Sequence, residues 1–510
     1  MFAPTHPGAT ALVSQGDRIV FVGDDDGARR WSDGTPEIDL QGRLVTPAFV
    51  DAHLHAVQAG LVAAGLDLHD GSSRTDVLDR LGAYAARRPT GVIVGQGWDE
   101  RAWPDPRPPT RVELDRAAGG RVVYLARVDV HSAVVSTSVL DRLPGVAGMD
   151  GFRADGMLTQ DAHHRSRVLV NALFDDADRR MAARRALRQA ARLGVGTVHE
   201  LAGPHLGPLE DLVRVREIGA ELGVGVVTYW GELASQAAIG RAQAVGAAGL
   251  AGDLCVDGSI GSRTAALHQP YADDETCGAR YLDDDQIAEH VAVCTRAGLQ
   301  AGFHCIGDDA VAAAVAGLRR AAERVGVDAV RAARHRLEHL EMVAADDIAT
   351  LARLGVAASM QPGFNARWGC PGELYETRLG SGRAQTMNPL GSLQRAGVQL
   401  AFGTDAPVTP IAGWAMVRAA VQHSRPGERL RLQDAFAAAT LGGHRAGRVD
   451  LAGTIERGGL ASLAVWDVRP TPTPAVPDLP DLEPGGADPE CALTVAGGRI
   501  AYRSDTEPVG

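Results

Sequence analysis

One order recurs down the middle of this chain: a helix pattern, a glycine, a short apolar run, then polar residues. RRMAARRALRQAARLG runs into VGTVHE, IAEHVAVCTRAG into LQAGFH, DDIATLARLG into VAASMQP, and LGSLQRAG into VQLAFGTD. A further helical stretch near 310–325 precedes RHRLEH. Glycine just past a helical apolar pattern is a helix stop. A short apolar run bounded by turn residues reads as a strand buried on both faces. Helices alternating with such strands build βα units around a parallel sheet. VTPAFVDAHLH and GDLCVDG add strands, and an eighth is expected near GVGVVTYW or in the less regular region 70–165. A TIM-like (β/α)8 barrel over residues 50–445 is the economical α/β fold. The structural alternative is a doubly wound sheet. No glycine-rich phosphate turn follows the first strand, and a GxxxxGK[ST] loop cannot occur, because the chain contains no lysine.

The two ends have a different texture. ALVSQGDRIVFVGDD and CALTVAGGRIAYRS are short apolar runs broken by Gly-Asp or Gly-Gly, which is a hairpin signal. Residues 1–49 and 446–510 are therefore expected to form one small β-sandwich domain together. TPTPAVPDLPDLEPGGADPE between them is proline-rich and acidic, and reads as loop. Roughly 67–165 reads as an insertion in the barrel.

Composition narrows the partners. The net charge is −12 with acidic and basic residues interspersed, so nothing points to nucleic acid or an anionic membrane. No stretch has the length of a membrane span and no signal-peptide pattern opens the chain, so a cytoplasmic protein is expected. The six cysteines are scattered without a CxxC pair, which argues against a zinc knuckle or a disulfide framework. All 51 basic residues counted as Lys or Arg are arginine, so no lysine amine is available for catalysis or carbamylation.

In a barrel of this kind, chemistry sits at the C-terminal ends of the strands. His53 and His55, His199-Glu200, His304, His339 and Asp405 all fall at such ends. One histidine after an apolar run is usually a hydrogen-bonded core residue; five endings with ligand chemistry are hard to obtain by chance. Residues two apart on a strand share a face, so His53 and His55 point the same way. Imidazole and carboxylate donors suit Zn²⁺ and similar divalent ions. Such an ion acidifies a water to a pKa near ~7, and a neighbouring carboxylate can carry the proton to a leaving group. HELAG lacks the second histidine of HExxH, which rules out the metalloprotease reading.

These residues resemble the amidohydrolase superfamily, and within it amidohydrolase family 3, the YtcJ-like branch. GRLVTPAFVDAHLH is similar to the family's first strand with its HxH motif. GQGWDERAWPDPRPPTRVELDRA and LARVDVHSAVVSTSVL resemble the branch's insertion. VDGSIGSRTAAL, FHCIGDDA, RHRLEHLEM, SMQPGF, FGTDAPV and GTIERGGLASLAVWD follow in the family's order. The resemblance implies a metal-dependent hydrolase. His53, His55, His304 and His339 match metal ligands, and Asp405 matches the aspartate that binds metal and shuttles the proton. Trp98, Asp99, His131 and Arg263 lie in motifs that would shape the substrate pocket. A homodimer is the family expectation.

The chain departs from the pattern in three places. Asp253, in GDLCVDG, stands where many members carry a carbamylated lysine, so a carbamate-bridged pair of metals is excluded by composition. One metal, or two bridged by another carboxylate, remains. Glu200 is the first candidate to complete the site, with Asp253 and Asp257 as alternatives that alternation would put on one face. Ser136 replaces the common asparagine, and Ala461-Ser462 replaces Ala-Asp. The expected activity is hydrolysis of a non-peptide C–N bond in a small molecule, of amide, formamide or related type. The alternatives are deamination of a cyclic amidine at the same site, or a non-catalytic binding or regulatory protein on this scaffold.

Overall fold

The computed structural model describes residues 1–31, 34, 36–468 and 479–504. Eight parallel strands form its centre: Phe49–Leu54, Val195–Ala202, Gly225–Trp230, Gly249–Leu250, Gln300–Cys305, Arg336–His339, Ala357–Met360 and Gln399–Phe402. Each pairs with its neighbour in sequence, and a bridge from Leu54 to Ala406 joins the last to the first. Strands in unbroken order closing on themselves make a barrel; a doubly wound sheet would reverse its order midway. The second strand is buried along its whole length, as expected where helices cover the outside and side chains fill the inside.

The recurring glycine has a structural cause. Gly223 and Gly355 end their helices with φ of 73° and 65°. That left-handed turn caps the last helical carbonyls and re-aims the chain into the next strand, at little cost when no Cβ is present. Helix starts are equally explicit: Asp175 and Asp178 cap helix Asp176–Arg192 reciprocally.

The fourth strand departs from expectation. It is only Gly249–Leu250, and GDLCVDG beyond it is irregular, bent chain with one bridge, from Cys255 to His304. Alternation therefore does not govern Asp253 and Asp257. The eighth strand falls at Gly225–Trp230, within GVGVVTYW.

Between the first two barrel strands the chain builds a five-stranded sheet: Leu66–Asp67, Ile93–Trp98, Val123–Arg127, Ser132–Val135 and Met157–Thr159. It has its own core around Val77, Leu81 and Leu114. The turn between its third and fourth strands carries Asp129 and His131.

The chain ends meet in antiparallel sheets. Leu44–Pro47 pairs with Leu463–Trp466, which pairs with Cys491–Ala496 and then Arg499–Arg503. The hairpin Ala11–Gln15/Arg18–Gly23 packs on them through Ile19, Val45, Leu463 and Leu493. Phe49 meets Trp414 and Trp466 with ring centroids 5.1 and 5.6 Å apart, which ties the first barrel strand to this end sheet. Of the proline-rich segment, residues 471–478 lie outside the described residues. Leu479 and Leu482 just after them are buried in the main core, so that part is a packed loop. Among the described residues, no helix is long and apolar enough to cross a membrane.

Candidate metal centre

The barrel closes where its first and last strands meet, and the candidate centre lies there. Asp405 N donates to His53 O at 2.7 Å, and His55 N donates to Ala406 O at 3.1 Å. Gly403 makes this approach possible, because a Cβ there would stand 2.4 Å from His53 N. Asp51 adds a clamp: it accepts from Thr404 N at 2.9 Å and from the Thr404 hydroxyl.

Each histidine has one nitrogen engaged away from the centre. His53 Nδ1 lies 2.8 Å from Glu338 Oε2, His55 Nδ1 2.5 Å from Leu201 O, and His339 Nδ1 2.7 Å from Gln361 Oε1. Carboxylate, carbonyl and amide oxygens accept only, so these Nδ1 atoms carry a proton, and Nε2 is the nitrogen left to ligate a metal. His304 is turned over: its Nε2 lies 3.1 Å from Gly258 O, which leaves Nδ1 with the lone pair. The four rings cluster, with centroids 5.1 Å apart for His53 and His55, 5.0 Å for His53 and His339, and 4.4 Å for His304 and His339.

Two carboxylates join them. Asp405 Oδ1 is 3.0 Å from His55 Nε2 and 3.4 Å from His53 Nε2. Asp253 reaches 3.8 Å from His55 Nε2, 3.9 Å from His53 Nε2 and 3.7 Å from His205 Nε2. Ligand atoms of His53, His55 and Asp405 all lie within 4.8 Å of one another. The nitrogens His53 Nε2 and His339 Nε2 are buried with no hydrogen-bond partner. Leaving such atoms unsatisfied costs about 1–3 kcal/mol each; a divalent cation among them would satisfy both. Three or four imidazoles with two carboxylates are the donor set that Zn²⁺ and similar ions take. The residues present therefore fit a metal.

The electrostatics agree. Burial opposes a charge on His55, but Asp253 and Asp405 outweigh it and push its pKa up to about 9. A divalent ion would neutralise the same two carboxylates. Burial, with His304 and His53 nearby, pushes His339 down to about 3, so it stays a neutral donor. Asp405 would be raised by burial, yet the histidines around it hold it below the usual range. His339 and Asp405 also have φ of 72° and 53°. Non-glycine residues hold this conformation only where their surroundings enforce it, and such residues gather at functional sites.

Beneath the ligands lies a buried ionic layer that neither the strand pattern nor the resemblance drew attention to. Arg336, fully buried, donates to Glu338, to Ala52 O at 2.7 Å and to Ser359 Oγ at 3.1 Å. It also faces His199 Nδ1 at 3.0 Å and stacks 4.6 Å over Tyr229. Burial would raise the Glu338 carboxyl, but Arg336 and His53 hold it well below the usual carboxylate range. Arg336 thus keeps Glu338 ionised, and Glu338 fixes the tautomer of His53. The signal was legible in RLE: two charged residues spaced by two on a barrel strand share one interior face.

Glu200, expected as the first candidate to complete the site, lies outside the group of His53, His55 and Asp405 ligand atoms. His199 faces Arg336, so the next residue points to the other side of the strand. There Glu200 Oε2 accepts from Ala56 N at 2.7 Å, at the start of helix Ala56–Ala64, and burial pushes its pKa up to about 7. Asp253 comes nearer, within 3.8 Å of His55 Nε2 and 3.9 Å of His53 Nε2. Gly231 lets its segment in, since a Cβ there would stand 2.8 Å from Asp253 C. Asp257 turns away and accepts from Ala266 N, Ile306 N and Gly307 N at 2.8–3.0 Å, a loop-organising role.

A small cavity of about 20 Å³ opens beside His304, His339 and Asp405, and His131 lines it. His131 lies 5.0 Å from His304, ring to ring, and burial holds it well below its ordinary pKa. The other residues expected to shape the pocket lie elsewhere. Trp98 is buried in the core of the five-stranded sheet, its Nε1 donating to Leu125 O at 2.9 Å. Arg263 faces outward and clasps Asp273 with bonds of 3.0 and 2.7 Å. Asp99 acts at one remove: it accepts from Arg127 at 2.9 Å, and Arg127 stands 3.4 Å from Asp129 on the cavity wall. Ser136 Oγ accepts from Val123 N, and Ser462 Oγ accepts from Gly497 N in the end sheet; both are away from the cavity.

Relatives share this architecture. A crystal structure of an uncharacterized metal-dependent hydrolase from Pyrococcus furiosus superposes with a TM-score of 0.69 at 28% identity, covering 90% of this chain and 94% of that one. YtcJ of Bacillus subtilis (strain 168) is 26% identical over 445 residues, 78% of this chain and 79% of its own. The N-substituted formamide deformylase of Arthrobacter pascens is 23% identical over 503 residues, 91% of this chain and 90% of its own. The profile of the amidohydrolase family matches residues 36–502, nearly the whole chain. The chain belongs to the amidohydrolase family.

Proposed function

We propose that this protein hydrolyses a C–N bond other than a peptide bond, in an amide or formamide. His53, His55, Asp253, His304, His339 and Asp405 would hold one or two divalent ions, with Zn²⁺ the first choice for this donor set. The observation that carries the reading is the convergence of His53, His55 and Asp405 ligand atoms within 4.8 Å, beside the partnerless His53 Nε2 and His339 Nε2. A divalent ion held there supplies an acidified water near neutral pH and positive charge for the carbonyl oxygen.

The remaining chemistry belongs to the side chains. Asp405 lines the cavity as well as the ligand set, so its carboxylate can take the proton from the attacking water. It then delivers that proton to the departing nitrogen, which leaves as an amine while the carbonyl carbon leaves as a carboxylate. Glu338 keeps His53 in the ligating tautomer. The similarity to a formamide deformylase supports a formamide as the first substrate to try.

The test is removal and return of the ion. Protein stripped by a chelator should release no amine from a panel of N-formyl, N-acyl, carbamate and cyclic amide substrates. Zn²⁺ or another divalent ion should restore release from at least one class. Turnover by the stripped protein equal to that of the reconstituted one would refute the proposal.

A further inference from the structure

Asp253 has neighbours on its solvent side that the ligand set above does not include. His205, in the loop after the second barrel strand, brings its Nε2 to 3.7 Å from Asp253 Oδ2. The same oxygen lies 3.8 Å from His55 Nε2, so the carboxylate stands between an inner and an outer imidazole. The side chains of His205 and Asp253 are 18% and 11% exposed, whereas that of His53 is wholly buried. His164 comes in from helix Gln160–Asn171, which follows the last strand of the inserted sheet. Its ring lies 5.1 Å from that of His205, centroid to centroid. His163 beside it is engaged, with Nε2 2.8 Å from the Tyr124 hydroxyl. The ring neighbours of His164 are His163, His205 and Tyr281, and among the described residues no hydrogen bond takes either of its nitrogens.

We infer that Asp253, His205 and His164 form an outer metal site, which takes a further divalent ion of the kind imidazole suits, Zn²⁺ first. Bonds of ~2.0–2.1 Å place two ligand atoms of one tetrahedral ion ~3.3 Å apart. The 3.7 Å between His205 and Asp253 is too long for a good hydrogen bond, and a slight closure would let both atoms hold one ion. His164 is half-buried, so its ring can turn toward the same point. Asp253 has an oxygen for each ion: Oδ1, 3.9 Å from His53 Nε2, serves the inner one and Oδ2 the outer. Water completes four-coordination on the exposed side. Arg167, one turn further along the helix, carries a charge that disfavours a cation near His164, so the outer ion is the more weakly held. The inference rests on the reading of Asp253 as a ligand of the inner ion.

The test counts ions and needs no turnover. The untagged full chain, stripped by a chelator, would be titrated with Zn²⁺ by calorimetry. Wild type should show a weaker class of binding after the tight one. His164→Ala with His205→Ala, checked for an unchanged melting curve, should bind one equivalent fewer, losing the weaker class and keeping the tight one. Each single substitution, which disturbs the fold less, should weaken that class ~10-fold or more, at least the loss seen when an outer partner of a ligand is removed. Asp253→Asn should weaken both classes, because its carboxylate is shared. A zinc count that the double substitution leaves at the wild-type value would overturn the inference. So would a weaker class that Asp253→Asn leaves untouched. Failure of the hydrolase reading shows differently, as no amine release from a chain with every ion bound.

Discussion

Replacing Asp405 by asparagine is expected to lower kcat/KM by ~10³-fold or more, within the range a positioned general base contributes, while the fold survives. Asparagine is nearly the same shape, and it tolerates the φ of 53° that position 405 requires. Backbone contacts to His53 and Val408 do not involve the side chain. What asparagine loses is the basic oxygen and one negative charge beside His53 and His55. Steady-state rates, the melting curve and metal content should be measured on one preparation. Full turnover with metal bound would remove Asp405 from the role of proton carrier.

The second large effect is on stability. Glu338→Ala is expected to cost about 3–5 kcal/mol in urea denaturation, the range for stranding a buried charge. Arg336 would keep only neutral partners in a fully buried layer. The same substitution releases His53 Nδ1, and metal affinity should fall about 10–100-fold, as when other outer partners of ligating histidines are removed. The two consequences separate in a double substitution. Arg336→Leu with Glu338→Leu removes both charges, so stability should recover much of the loss, whereas metal affinity should not. Recovery of both would mean Glu338 acts only as a counter-ion. The pH dependence follows from the depressed folded pKa of Glu338. Its stabilisation is fully present above the unfolded pKa of about 4.5 and drains away as pH falls through the folded value.

The barrel was legible because its helix stops are chemical. Left-handed glycines at 194, 223, 246, 298, 355 and 397 mark where six of the eight strands begin, and apolar runs mark how long they last. The grouping of His53, His55, His304, His339 and Asp405 followed from strand ends, because a closed parallel barrel brings those ends to one face. What failed was reasoning by alternation where no strand exists. GDLCVDG is not held by a continuous ladder, so Asp253 and Asp257 part company. Glu200 does lie on a strand, but its neighbour His199 faces Arg336, and Glu200 accepts from Ala56 N. Trp98 and Arg263 sit in conspicuous motifs, but one fills a core and the other clasps a surface carboxylate.

We propose that Asp253, and not Glu200, completes the metal centre. Metal per chain, measured by elemental analysis after equilibration with limiting Zn²⁺, tests it most directly in wild type, Asp253→Asn and Glu200→Gln. Glutamine at position 200 can still accept the Ala56 N–H, so that variant should match wild type. Asp253→Asn should bind clearly less metal and turn over correspondingly slowly. Wild-type metal content in Asp253→Asn, with loss in Glu200→Gln, would contradict the account.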